Sequence, residues 1–72
     1  MEFIDLTSYR CPYPLVQVKL LMKQMVKGDN LLVYLSDPGS RQDVPAFVKK
    51  MGFGIEIKEQ TDLRLSLVIS KN

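Results

Sequence analysis

Arg10-Cys11-Pro12-Tyr13-Pro14 is the stretch on which the reading of this chain turns. It holds the single cysteine of the 72 residues. A short apolar segment before it, Phe3 to Leu6, reads as a strand, and an amphipathic pattern from about Pro12 reads as a helix. Two prolines flank one residue at the helix start. Proline fits there because the first helical N–H groups have no intrahelical partner, and its fixed φ suits the first turn. Cys11 is therefore expected at a helix N-terminus, where unpaired N–H groups and the helix dipole favour negative charge. Such a position lowers a cysteine pKa from about 8.5 into a range of roughly 3.5–7.5. Arg10 is expected to act in the same direction. The chain reads as one organised to present the sulfur of Cys11.

Outward from that junction, the first helix runs from Pro12 to about Val26. Leu15, Val18, Met22 and Met25 recur at the spacing of a buried stripe, widened by Leu21. Gln17, Lys19, Lys23, Gln24 and Lys27 take the remaining positions, and Gly28 is the expected C-cap. Leu31 to Leu35 is a continuous apolar run of strand length, as in a central strand. Ser36-Asp37-Pro38-Gly39-Ser40 is a loop signal. A second helix ends near Met51, with Val44, Phe47, Val48 and Met51 on its apolar face. Met22, Met25 and Met51 read as core filler. The start of that helix has two readings. Ser40 followed by Asp43 resembles a capping box, but Pro45 then falls inside the helix and costs a backbone bond. An irregular first turn with regular helix from about Asp43 accommodates both. Ile55 to Glu59 alternates as a half-exposed strand, Gln60-Thr61-Asp62 makes a hairpin turn, and from Leu63 to Ser70 the odd positions form one apolar face.

The order is βαβαββ. Helix-linked strands are expected to be parallel with right-handed crossovers, and the final hairpin adds an antiparallel strand. Glu56, Lys58, Arg64, Ser66 and Ser70 supply outward polar residues to one sheet face. Both helices are therefore expected on the other face, giving an α/β two-layer sandwich with a mixed four-stranded sheet. The strand ends that precede helices lie at one rim, where ligands usually bind. That rim should gather Cys11, the Asp37–Ser40 loop, Arg41 and the Gln60–Asp62 turn.

Seventy-two residues are expected to form one domain over 1–72, with an apolar content of 46% that is ordinary for a globular chain. A net charge of +2 is too small to argue for a nucleic-acid or membrane partner. The acidic start lacks the features of a signal peptide, no apolar run approaches the ~20 residues of a membrane helix, and a lone cysteine suits a reducing compartment. The expectation is a cytoplasmic protein. The chain has no histidine, which removes imidazole bases and Cys-His pairs, and one cysteine without histidine excludes an ordinary zinc site. No Gly-rich phosphate loop is present. No metal or cofactor is expected.

Cys11-Pro12-Tyr13-Pro14 at a strand-to-helix junction, in a chain of this length and element order, resembles the TusA-like (SirA-like) sulfur-carrier family, which is marked by a Cys-Pro-x-Pro motif near the N-terminus. Asp37-Pro38 followed by Arg41, Asp43 and Pro45 resembles a second stretch of the family, and the likeness covers essentially the whole chain. It implies a strand order of 1-2-4-3 with strand 4 antiparallel. It implies that Cys11 carries sulfur as a persulfide and relays it between proteins, towards tRNA thiolation, sulfur oxidation or thiosulfate use. A donor such as a cysteine desulfurase or rhodanese-like protein and an acceptor protein are the implied partners. Two positions depart from the family pattern. Ser8 stands where the family often has glycine, and Tyr13 where the tRNA-thiolation branch often has an acidic residue.

Each candidate has a plainer reading beside it. Cys11 could be an inert buried cysteine, although a lone thiol that loads sulfur must pass it to another molecule and so fits a relay. Pro12 and Pro14 initiate the helix and thereby fix the exit angle of the cysteine. Arg10 is either a solvated charge or a thiolate stabiliser. Asp37 and Arg41 are either loop and helix-start residues or partner contacts. Lys19, Lys23 and Lys27 form either a solvated face or a docking stripe for an acidic partner. The rival functions are a small regulatory or protein-binding module without obligatory thiol chemistry, and nucleic-acid binding through the lysines, which the near-neutral charge disfavours.

Overall fold

Along the central strand the even and odd residues part company, and that separation builds the molecule. The computed structural model describes residues 2–71. Its elements are β1 (Glu2–Asp5), α1 (Tyr13–Gln24), β2 (Asn30–Leu35), α2 (Pro38–Lys50), β3 (Gly54–Gln60) and β4 (Leu65–Ser70). The four strands form one sheet in the order β1-β2-β4-β3, with β1 parallel to β2 and β4 antiparallel to both its neighbours. This is the mixed sheet expected from the element order, in the strand order that the family resemblance implies.

Leu31, Val33 and Leu35 pair in register with Ile69, Leu67 and Leu65. These six side chains join Val18 and Met22 of α1, Val44 and Val48 of α2, and Leu6 and Met25 in one buried cluster. Both helices therefore cover the same sheet face. The opposite face is not simply polar. Ser66 and Val68 are buried there as well. Ser66 donates its hydroxyl to Glu59, Arg64 pairs with Glu59 at 2.6 Å and stacks its guanidinium 4.2 Å from the Tyr34 ring centre, and Phe3 meets Tyr34 edge-on. Long side chains lie down over that face, so a residue read as outward, Ser66, loses its water.

Several boundaries differ from the sequence reading, each for a local reason. The helix α1 ends at Gln24 and Met25 is extended, so Gly28 is not a C-cap. It sits in a turn closed by the Asp29 N–H on the Val26 carbonyl, at a φ of 96° that suits glycine. The second helix does not start near Asp43. It starts at Pro38 behind Asp37, whose carboxylate accepts the Ser40 N–H at 2.9 Å. Asp37 rather than Ser40 is the N-cap, and Pro38 is the favoured first-turn proline. Pro45 lies inside α2 all the same, forgoing one backbone bond. Met51 caps α2 and is 53% exposed, so it is not core. Leu63 lies in the β3–β4 turn, 84% exposed, outside the apolar face of β4.

Leu67 is fully buried between β2 and β3, whereas Leu63 faces water. Leu67→Ala is expected to cost about 2–5 kcal/mol through lost burial and a residual cavity, and Leu63→Ala to stay within about 0.5 kcal/mol. Urea denaturation of both variants reads this directly. Equal midpoints would contradict the assignment of sheet faces.

Candidate functional site

The first turn of α1 is short of donors. Pro14, the second helical residue, has no N–H, the Tyr13 N–H is bonded to the Arg10 carbonyl, and the Val16 N–H goes to Pro12. Pro12 occupies the N-cap without a side-chain cap, and the Cys11–Pro12 peptide is cis. Cys11 is exposed just ahead of this turn. Pro14 is buried and anchors the helix start against the core, while the rings of Tyr9 and Tyr13 lie on either side of Cys11 in sequence and stack 4.4 Å apart.

Cys11 is held against α2 as well as α1. A side-chain carbon on Gly39 would lie in ordinary contact with Cys11, 3.4 Å from Cβ and 3.7 Å from Sγ, and in a tight 3.2 Å contact with the Asp37 carboxylate. The Asp37 carboxylate accepts the Ser40 N–H and, at 3.2 Å, the Ser40 hydroxyl. The Ser40 N–H is the main cause that holds the Asp37 pKa below the ordinary carboxylate value. The N–H groups of Cys11 and Gly39 add to it, and desolvation works against it. The Asp37 carboxylate thus caps the first turn of α2 beside Cys11.

The thiol itself points at another carboxylate. Cys11 Sγ donates to Asp43 Oδ2 at 3.7 Å. The Cys11 pKa is raised, first by desolvation, then by the negative charge of Asp43, the hydrogen bond to it, and the charge of Asp37. This reverses the expectation of a lowered thiol pKa. The physical reason is local. The prolines and Arg10 carbonyl leave α1 few N–H groups to offer the sulfur, whereas two carboxylates lie close by. At neutral pH the site rests as a thiol whose nearest proton acceptor is Asp43.

The other candidates are placed as follows. Arg10 is exposed, and its side chain makes no hydrogen bond or ion pair among the described residues. Arg41 is engaged structurally. It donates to the carbonyls of Ser36, Thr61 (2.7 Å) and Asp62 (3.1 Å), which fastens the exit of β2 and the β3–β4 turn to α2. A bond from the Ser36 hydroxyl to the Thr7 carbonyl joins the β1 and β2 exits. The rim is therefore continuous from Thr7 to Asp62. Cys11, Asp37, Gly39 and Asp43 meet on it. The contacts of Gly39 and Asp43 with Cys11 were missed by the sequence reading, because a regular helix begun at Asp43 hides that the two are one turn apart on the same face. Asp37-Pro38 as an N-cap and first-turn proline is the signal that would have revealed it.

No group of three acidic, histidine or cysteine side chains could hold an ion among the described residues. Two shallow depressions are lined by Glu2, Leu21, Gln24, Met25, Asp29 and Leu31, and by Lys19, Met22, Lys23, Met51, Phe53 and Lys71. Neither reaches Cys11. No helix of the described residues is long and apolar enough to cross a membrane.

A family model described as "Sulfurtransferase TusA" matches residues 2–71. Among solved structures, the chain is similar to a SirA-like protein from Desulfitobacterium hafniense. The TM-score is 0.82 at 24% identity, over 96% of this chain and 95% of that one. At that identity the likeness is one of fold.

Replacing Asp43 by Asn keeps the shape and removes the charge that opposes ionisation of Cys11. A raised thiol pKa means less thiolate at a given pH below it, so the variant should hold more thiolate at pH 7. Its alkylation by iodoacetamide should be faster at pH 7, with the pH–rate profile displaced to lower pH and the two proteins converging where both are fully ionised. A profile displaced to higher pH, or left unmoved, would contradict the Asp43–Cys11 contact.

Proposed function

Because the chain belongs to the TusA sulfurtransferase family over residues 2–71, we propose that it is a sulfur-relay protein whose carrier atom is Cys11 Sγ. Proteins of this family relay sulfur between proteins. The observation that carries the assignment to Cys11 is its placement. The only cysteine of the chain is exposed at the β1–α1 junction and clamped between the starts of both helices.

In the loading step the Cys11 thiol gives up its proton, for which Asp43 is the nearest acceptor. The thiolate attacks the terminal sulfur of a donor persulfide. A new S–S bond forms on Cys11, the donor S–S bond breaks, and the donor leaves as a thiolate that takes a proton. Unloading is the same exchange with an acceptor thiolate attacking the outer sulfur. There is no net oxidation, and with one cysteine no internal disulfide competes. The donor is a desulfurase or rhodanese-like protein and the acceptor a further protein or its substrate. The lone thiol works in a reducing compartment, the cytoplasm. Pro12 and Pro14 fix the direction in which the sulfur leaves the helix start, Asp37 positions its backbone, and Arg41 keeps the rim in place.

The raised thiol pKa favours a second reading, a binding module in which the sulfur is unreactive. Intact-mass spectrometry after incubation with a small persulfide, and separately with thiosulfate, separates the two. A gain of one sulfur atom, lost on reduction and absent in Cys11→Ala, is expected. No gain from either donor, with the thiol still open to alkylation, would leave the binding module as the reading.

A further inference from the structure

The exposed side of α1 is apolar where water would be expected to select polar residues. Tyr13, Val16 and Leu20 are each more than 40% exposed. Their spacing of three and four puts them on one helical face, starting two residues from Cys11. Tyr9, 45% exposed, extends the strip past the cysteine by its stack on Tyr13. Lys19 and Lys23 flank it.

The charges are distributed to match. The ion pairs among the described residues, Lys58–Glu56 and Arg64–Glu59, lie in the sheet layer. The helix α1 contains lysines and no carboxylate. On α2 the only acidic residue is Asp43, which faces Cys11. A net charge of +2 therefore conceals a basic helical layer backed by a more acidic sheet.

We propose that the Tyr9–Tyr13–Val16–Leu20 strip is the docking surface for the protein that exchanges sulfur with Cys11, and that this partner offers an apolar groove edged with carboxylates. The proposal rests on the relay reading and extends it. Two sulfurs exchange only when their atoms come into contact, so a partner must cover Cys11, and this strip is the apolar surface continuous with it. A helix laid by its i, i+3 and i+7 residues into a groove is a recurrent mode of recognition. Lys19 and Lys23 supply the charge complementarity, which sets approach and orientation more than affinity. Nucleic acid and anionic membrane fit less well, since Asp37 and Asp43 beside Cys11 repel phosphate.

The test compares wild type, Val16→Glu/Leu20→Glu, Lys19→Glu/Lys23→Glu and, as a charge control on β3, Lys58→Glu, each checked by circular dichroism for an unchanged fold. Loading from glutathione persulfide should be equal in all four. Loading from a protein persulfide, presented by a cysteine desulfurase with free cysteine and by a rhodanese with thiosulfate, should slow roughly tenfold or more in the apolar-strip variant. The lysine variant should slow less and lose the salt dependence seen in wild type, and Lys58→Glu should match wild type. If wild type fails to load from glutathione persulfide, the relay reading itself falls. If it loads there but the strip variant matches wild type with both proteins, or neither protein loads wild type, the docking proposal is overturned. It is equally overturned if the variants lose binding to tRNA or anionic vesicles while protein-to-protein transfer is intact.

Discussion

A dry layer one side chain thick holds this molecule together. Leu31, Val33 and Leu35 on β2 and Leu65, Leu67 and Ile69 on β4 form its sheet half, and Val18, Met22, Val44 and Val48 form its helical half. A chain of this size has little burial to spare, so both helices must lie on this one face. That requirement fixes where the functional residues go. The strands β1 and β2 run parallel, so their exits fall on the same side of the sheet and the starts of α1 and α2 come together. Cys11 belongs to the first of these starts and Asp37, Gly39 and Asp43 to the second.

The meeting of the two helix starts is not left to packing alone. The Asp37 carboxylate serves as N-cap to α2, and Gly39 in that first turn lies beside the cysteine. This places the sulfur beside Asp43 and changes its chemistry. A helix N-terminus stabilises an anion through free N–H groups near the atom. In α1 Pro14 has no N–H and those of Tyr13 and Val16 are already bonded, whereas the carboxylates act at short range. Desolvation of the thiol, with the carboxylates acting the same way, outweighs the helix start and raises the Cys11 pKa. A raised pKa lowers the thiolate fraction at neutral pH, and alkylation and oxidation of a cysteine track thiolate character.

Beyond the site, the surface is divided. The open sheet face is closed over by its own residues. Arg64 bridges Glu59 and Tyr34, Phe3 leans on Tyr34, and Ser66 and Val68 end up buried beneath this cover. The helical face keeps its lysines and an exposed apolar strip beside Cys11. Both ion pairs among the described residues lie in the sheet layer, and the lysines of α1 are in neither.

The sequence by itself determined the element order, the mixed sheet, the two-layer arrangement and the identity of the carrier candidate. Each depends on local signals: period-2 and period-3.6 apolar patterns, proline at a helix start, and a single cysteine. It placed Cys11, Asp37 and Arg41 on one rim because topology alone dictates which strand ends share a side. The tertiary structure decided the rest. The raised Cys11 pKa comes first from desolvation and next from Asp43, 32 positions away, and no local pattern reports either. Arg41 reads as a surface charge in sequence, yet the fold gives it three carbonyls to hold. Ser66 reads as outward, but its burial depends on where Arg64 and Glu59 come to lie. Patterns along the chain record which face of an element is apolar; only the assembled elements fix which charges become neighbours, and Coulomb energies depend on that separation.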